Sequence, residues 1–422
     1  LNPILVQTFG CRVNLAEGEA MAALAAGAGA GAMTIINGCA VTGEAMRQAR
    51  QSARRARRER PDARIVVTGC AAQIDADAFA AMPEVDAVIG DAEKLRPATW
   101  ARLASSDFEK RMVGDPFAPR PAAEPPSIAE ARTRAFLQIQ NGCDHRCTFC
   151  VIPFARGGSR SVEPARVLAQ ARRVVAEGAR EIVLTGVDIT AYGADLAAAP
   201  QLGGLVRRLL AELPALTRLR LSSIDSIEAD PELIAAIGEE PRLMPHFHLS
   251  LQSGDDLILK RMKRRHSRAD AIAFCRRVRA MRPDVAFTAD LIAGFPTEDE
   301  AMFARSLDLI EECGLARVHA FPYSARPGTP AARMPALDGA LVRERAARLR
   351  EASEAAWARH LAGKVGATMP ALTERGGVAR AEDFTPMRVG ATEPGEMREA
   401  RVSASDGREL TATLVGDVDS AA

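Results

Sequence analysis

"RAFLQIQNGCDHRCTFC", residues 134–150, runs an apolar stretch straight into three cysteines. RAFLQIQ is a short, largely apolar run that reads as a β-strand. Cys143, Cys147 and Cys150 then follow at C-x3-C-x2-C spacing. Metal-ligating residues directly after a strand are where a βα-barrel carries its chemistry. A structural zinc site closes with four ligands, and His145 could supply the fourth in C-x-H-x-C-x2-C order. It lies two residues from each neighbouring cysteine, which is cramped for one tetrahedron. An iron–sulfur cluster on three thiolates fits better, because it leaves one iron open for a substrate or cofactor.

Working outward, EIVLTGV (181–187), RLRLSSI (218–224), HFHLSLQS (246–253), VAFTADLIAGF (285–295) and RVHAFPYS (317–324) read as further strands. Helical stretches such as 164–177 and 267–281 separate them. Six βα units in one domain, 131–360, predict a complete or partial barrel, a (β/α)6 arrangement. Upstream, PILVQTFG (3–10), MTIING (33–38), RIVVTG (64–69) and AVIG (87–90) alternate with helices and predict an N-terminal parallel α/β domain over 1–105. Five prolines between residues 113 and 128 mark a stiff linker, taken as 106–130. After a helical stretch at 338–362, TMPALTE, REARVSAS and RELTATLV predict a small β-barrel over 364–422. The overall class is α/β.

With 422 residues the chain accommodates about three domains, a prior of about 150 residues each. Its 47% apolar and 26% charged residues are those of a soluble globular protein. A net charge of +1 means that nucleic-acid binding would need a local basic patch. The start lacks a basic n-region followed by an apolar h-region. The uncharged stretch Ala20 to Gly43 is mostly Ala and Gly and includes Asn37, so it is rejected as a membrane span. A cytoplasmic protein is expected. Its eight cysteines are then not a disulfide framework. Cys11, Cys39 and Cys70 each follow a predicted strand, along the edge of an open parallel sheet where ligands bind, and point to one shared metal site. Cys275 and Cys313 fall in or near predicted helices and receive no role.

C-x3-C-x2-C on a barrel resembles the radical S-adenosylmethionine (SAM) enzymes. GCRVN around Cys11, INGCAVT around Cys39 and TGCAAQ around Cys70 resemble the N-terminal domain of the methylthiotransferases. So do FARGGSRS, LTGVDITAYG (184–193), HLSLQSGDDLILKRMKRRHS (248–267), DLIAGFPTEDE (290–300) and FPYSARPGTPAARM (321–334). The tail resembles a TRAM domain, a small RNA-binding β-barrel. The resemblance implies two [4Fe–4S] clusters, one on Cys143, Cys147 and Cys150 and an auxiliary one on Cys11, Cys39 and Cys70. It implies S-adenosylmethionine as source of a 5′-deoxyadenosyl radical and as methyl donor, and reduction by a donor such as flavodoxin or ferredoxin. The substrate implied is adenosine 37 of tRNA, methylthiolated at C2. The motifs look most like the subgroup acting on N6-threonylcarbamoyladenosine; the alternatives are N6-isopentenyladenosine or, in another class, a non-catalytic zinc-stabilised RNA-binding protein.

Within that resemblance, Gly186, Asp188, Ser222, Ser223, Gln252 and Gly294 at strand ends are candidate contacts for S-adenosylmethionine. Arg47, Arg50, Arg54, Arg57 and Arg58 recur at helical steps and could form a basic stripe for phosphates or a solvated face. KRMKRRHSR (260–268) is a second such cluster. The tail's one aromatic, Phe384, leaves little scope for base stacking on RNA. AALAAGAGAGAM (22–33) is rich in glycine, which weakens a helical reading there.

Overall fold

Strands buried on both faces read as unbroken apolar runs, and Met33–Gly38 and Glu181–Thr185 are buried at every position. Each is an inner strand of a different parallel sheet. The computed structural model describes residues 3–105, 107–119, 127–130 and 133–417. At the N-terminus, Ile4–Thr8, Met33–Gly38, Arg64–Thr68, Ala87–Ile89 and Arg111–Met112 form a parallel sheet in sequence order. One face is covered by the helices Arg12–Gly27 and Pro97–Ser105, the other by Gly43–Glu59 and Gly69–Ile74. Helix Gly43–Glu59 turns Met46, Ala49, Ala53 and Ala56 inward at three- and four-residue steps. Thr42 caps it, its Oγ1 accepting from Ala45 N at 3.1 Å.

Two sequence expectations change here. The helix Arg12–Gly27 persists into the glycine-rich segment, because Val13, Ala16, Met21 and Ala25 are buried against the sheet. It ends where Gly29 takes φ +69°, a conformation that costs glycine little. The proline-rich stretch is also more than a connector. Arg111–Met112 is the fifth strand of the first sheet, and Ser127–Glu130 pairs antiparallel with Arg134–Gln138. The rest of that stretch lies partly outside the described residues.

The central unit is a partial barrel of six parallel strands. Arg134–Gln138, Glu181–Thr185 and Arg218–Leu221 form one half; Ser223–Ile224, His246–Gln252, Ala286–Ala293 and Leu315–Pro322 form the other. The third strand switches sheets at Ser222, pairing with Glu181–Thr185 before it and with His246–Gln252 after it. Outward side chains such as Leu137, Leu184, Leu219 and Leu249 pack under the surrounding helices. Inward positions are instead polar: Arg134, Glu181, Arg218, Arg220, His246, His248 and Thr288. The helices Pro164–Ala176, Arg268–Met281 and Gly339–Ala362 fall where expected. Cys275 and Cys313 meet inside this core as hydrogen-bonded thiols, so packing accounts for both.

The tail closes into a five-stranded barrel: Thr368–Glu374, Val378–Ala381, Pro386–Arg388, Leu410–Asp417 and Met397–Ser405. The second and third of these strands were not read from the sequence. They are four and three residues long, too short to show a period, and the latter starts at Pro386.

Candidate active site

Cys11 is the residue before a helix, Cys39 follows a strand, and Cys70 opens the short helix Gly69–Ile74. The first three strands share one direction, so these positions lie along one edge of the sheet. Asn37 and Asn14 stitch the edge: Asn37 Nδ2 donates to Asn14 O at 2.6 Å, and Asn14 Nδ2 to Phe9 O at 2.8 Å. Gly10 has φ +98°, and a Cβ there would stand 2.7 Å from Cys39 Cβ and 3.0 Å from its sulfur. Burial first, then the neighbouring Cys70, pushes the Cys39 thiol up to about 12. The three thiols thus sit in one another's field.

The second trio lies in a closed loop. Gln140–Asn141 pairs antiparallel with Arg160–Ser161, and Cys143 N donates to Gly157 O at 3.1 Å. Gln140 organises its base: its Oε1 accepts from Val187 N and Asp188 N at 3.0 and 2.9 Å, and its Nε2 donates to Gly142 O at 2.8 Å. Cys143 Sγ donates to Asp188 Oδ2 at 3.5 Å, Arg264 reaches Cys147 Sγ at 3.7 Å, and Ile152 N donates to Cys150 Sγ at 3.4 Å.

The loop carries the helix Ile152–Arg156 onto the N-terminal unit, where Val151 and Ala155 join the core around Cys70. Arg156, fully buried, makes the joint. Its Nε donates to Cys70 Sγ at 3.2 Å, and its Nη1 donates to Glu17 Oε1 at 2.8 Å and Asn141 Oδ1 at 2.9 Å. Glu17 also holds Lys94 Nζ at 2.8 Å, and Lys94 holds Asp91 at 2.7 Å. Paired carboxylates keep the Arg156 guanidinium charged despite burial. The loop that carries the second trio is therefore in direct contact with Cys70 of the first. Arg326, near Cys39, is buried too, and its Nε has no partner among the described residues.

A tetrahedral zinc with sulfur at about 2.3 Å needs its ligand atoms within about 4 Å of one another. Among the described residues neither cysteine trio forms such a group within 4.8 Å. His145 instead gathers with Cys143 and Asp188, its Nε2 lying 3.1 Å from both Asp188 and Glu228. It is not a fourth ligand alongside Cys147 and Cys150. Wider thiol spacing suits a multi-iron cluster.

The candidate cofactor contacts surround this loop. Gly186 lies against Ile189 and Gln140, and Asp188 beside Cys143. Ser222 Oγ, Thr185 Oγ1 and Gln138 Oε1 are buried without a partner at adjacent strand ends. Three such orphans on one rung indicate a polar ligand above them. Ser223 pairs with His248, while Gln252 sits at a bulge with φ +68°, strain of the kind stored at functional sites. Gly294 is a turn: its N–H goes to Glu298 Oε1 at 2.9 Å, and Val342 fills the space a side chain would need. That geometry gives a reason for glycine without an adenine.

The expected basic stripe is largely neutralised. Arg47 pairs with Glu44, Arg50 with Asp75 and Arg57 with Asp86. In the second cluster Arg264 pairs with Asp225, Arg265 with Glu228 and Arg268 with Glu312. Phe384 is not an RNA-facing ring. It lies over His246 at 5.2 Å and within 5.5 Å of the guanidinium carbons of Arg12, Arg134, Arg220 and Arg380.

Residues 137–310 match the Radical SAM superfamily, and residues 3–90 match the Uncharacterized protein family UPF0004. The chain is a radical SAM enzyme, a class that uses S-adenosylmethionine and a [4Fe–4S] cluster. It is 45% identical over 385 residues to the threonylcarbamoyladenosine tRNA methylthiotransferase MtaB of Rickettsia prowazekii, covering 91% of this chain and 90% of that one. It is 36% identical to MtaB of Thermotoga maritima, covering 79% and 77%. It is 37% identical to the tRNA-2-methylthio-N(6)-dimethylallyladenosine synthase of Cereibacter sphaeroides, covering 82% and 81%. The chain belongs to the tRNA methylthiotransferase family of radical SAM enzymes. The solved radical S-adenosylmethionine methyltransferase TsrM of Kitasatospora setae shares the fold, with TM-score 0.54 at 15% identity over 78% of this chain and 74% of that one. Among the described residues no helix is long and apolar enough to cross a membrane.

Arg156, Glu17, Lys94 and Gln140 were not singled out from the sequence. Arg156 lay inside FARGGSRS, but nothing in the sequence marks its long-range contact with Cys70.

Proposed function

We propose that the chain installs a methylthio group at C2 of N6-threonylcarbamoyladenosine 37 in tRNA. The observation that carries this reading is the contact of Cys70, in one thiol trio, with Arg156 on the loop that carries the other. A site for radical generation and a site for sulfur are then adjacent, as one carbon that must lose hydrogen and gain sulfur requires.

Cys143, Cys147 and Cys150 hold the [4Fe–4S] cluster that meets S-adenosylmethionine, and Cys11, Cys39 and Cys70 hold an auxiliary one. When bound, these groups supply the radical, the sulfur and the methyl group; the protein supplies position and seclusion. The loop between Asn141 and Arg160 fixes the first trio, and Gln140 fixes its base. Gly186, Asp188, Ser222, Ser223 and Gln252 line the cofactor's place, the Asp188 carboxylate favouring its cationic groups. Arg156 and Arg326 put positive charge beside Cys70 and Cys39, which suits an anionic thiolate-bound cluster. The C-terminal barrel is TRAM-like and contacts the RNA backbone. Flavodoxin or ferredoxin supplies the electron, in the cytoplasm.

Nucleoside mass spectrometry of tRNA from cells with and without this protein tests the reading. 2-Methylthio-N6-threonylcarbamoyladenosine should vanish with the protein; an unchanged level would refute the substrate, and loss of the isopentenyl product instead would transfer the assignment.

A further inference from the structure

The inside of the partial barrel is crowded with arginine, and almost every one of these cations is accounted for. Arg134 pairs with Glu181 and, at 2.8 Å, with Glu374. Arg220 pairs with Glu181 at 2.9 Å and donates to Glu382 O and Ala381 O. Arg218 donates to Arg380 O and Pro370 O, and Arg380 pairs with Glu374 at 2.8 Å.

Arg12 is the exception. Its guanidinium carbon lies 5.8 Å from the Phe136 ring and 5.5 Å from the Phe384 ring. Its N–H donors have no hydrogen-bond or ion-pair partner among the described residues. Arg134 and Arg220 repel it most strongly, ahead of the attraction of Glu181, whose carboxylate is already shared by two arginines. A planar cation with five free donors, set beside two rings and near three other guanidinium groups, is suited to receive a carboxylate.

The surroundings fit that use. Arg12 adjoins Cys11 in sequence, so it sits beside the auxiliary site. It is only partly buried. The last barrel strand turns Arg317, His319 and Phe321 inward, and all three are exposed, so the interior is open on that side. His319 lies within the field of Arg12. His248 and Thr288 are bonded to each other at 2.8 Å, and His248 Nε2 lies 3.1 Å from Asp290, so Arg12 is the group left to pair with an anion.

We infer that Arg12 reads the substrate's N6 substituent: the barrel interior beside the auxiliary thiols is an anion subsite for the threonyl carboxylate. This rests on the substrate reading above. An isopentenyl group, with no charge, would leave Arg12 unpaired. Arg12 is therefore a specificity-determining contact, distinct from Arg156 and Arg326 beside the sulfurs.

The test uses reconstituted full-length enzyme and anticodon stem-loop RNA carrying N6-threonylcarbamoyladenosine at position 37, either as free acid or as its neutral methyl ester. Wild-type protein should bind the acid about ten- to a hundredfold more tightly than the ester, the range of a desolvated charge-assisted hydrogen bond. Arg12→Gln should weaken the acid alone and erase the difference, and Arg12→Lys should restore part of it. Iron content is measured for each variant, so loss of the auxiliary cluster is seen separately. Equal binding of acid and ester by wild type, or an acid preference surviving in Arg12→Gln, would overturn the inference. So would equal weakening of both RNAs by Arg12→Gln with iron retained. Turnover is scored apart: a wild-type enzyme that prefers the acid yet never methylthiolates it would defeat the functional reading, not the subsite.

Discussion

Single residues decide whether the two thiol sites can form. Gly10 must turn with positive φ directly against Cys39, where even one methyl group would collide. Gly10→Ala should therefore lose the auxiliary cluster and keep the barrel cluster, so iron falls from about eight to about four per chain. Elemental analysis of anaerobically purified protein checks this. Arg156 is the second such residue. Arg156→Ala removes one of the two cations that hold buried Glu17, leaving Lys94, and should cost about 1.5–3 kcal/mol, read by chemical denaturation. The two cysteine groups stand out in the sequence because thiols that cluster, or that follow successive strands, have few structural reasons to be there. Arg156 and Arg12 were not, because an arginine in a sequence does not disclose whether a carboxylate will meet it. Arg47, Arg50 and Arg57 make the same point in reverse: their helical spacing was plain, and their acidic partners were not.

At the scale of elements, strands were easier to read than what they touch. Every barrel strand was legible from its apolar run. The switch of sheets at Ser222 was hidden, since RLRLSSI shows no break in pattern. The helix Arg12–Gly27 was obscured by glycines whose propensity penalty is overcome by burial against the sheet. The C-terminal barrel docks by inserting Phe384 among Arg12, Arg134, Arg220 and Arg380, over His246. Phe384→Ala should remove about 2 kcal/mol or more of cation–π and packing energy. Thermal unfolding and limited proteolysis after Ala362 would report it. His246 adds a pH dependence. Burial first, then Arg220, keeps its imidazole neutral, well below its ordinary value of 6.5. Below about pH 6.5 the unfolded chain binds a proton that the folded chain refuses, so stability falls as pH drops. Denaturation midpoints measured from neutral pH to about pH 5.5 should decline, and His246→Asn should flatten the decline.

For the whole molecule, the N-terminal sheet edge and the mouth of the barrel face each other, each bearing three thiols. That the two larger units are built on parallel strands followed from alternation of strand and helix. Their mutual contact did not, because it depends on one loop, from Asn141 to Arg160, returning Arg156 to Cys70. The division of labour between the two sites is the claim on which the functional reading stands. It is tested by giving reduced wild-type enzyme and the Cys11→Ala/Cys39→Ala/Cys70→Ala variant the same threonylcarbamoylated tRNA and S-adenosylmethionine. The wild type should yield 2-methylthio-N6-threonylcarbamoyladenosine, whereas the variant should still release 5′-deoxyadenosine and form no methylthiolated nucleoside; methylthiolation by the variant would contradict the account.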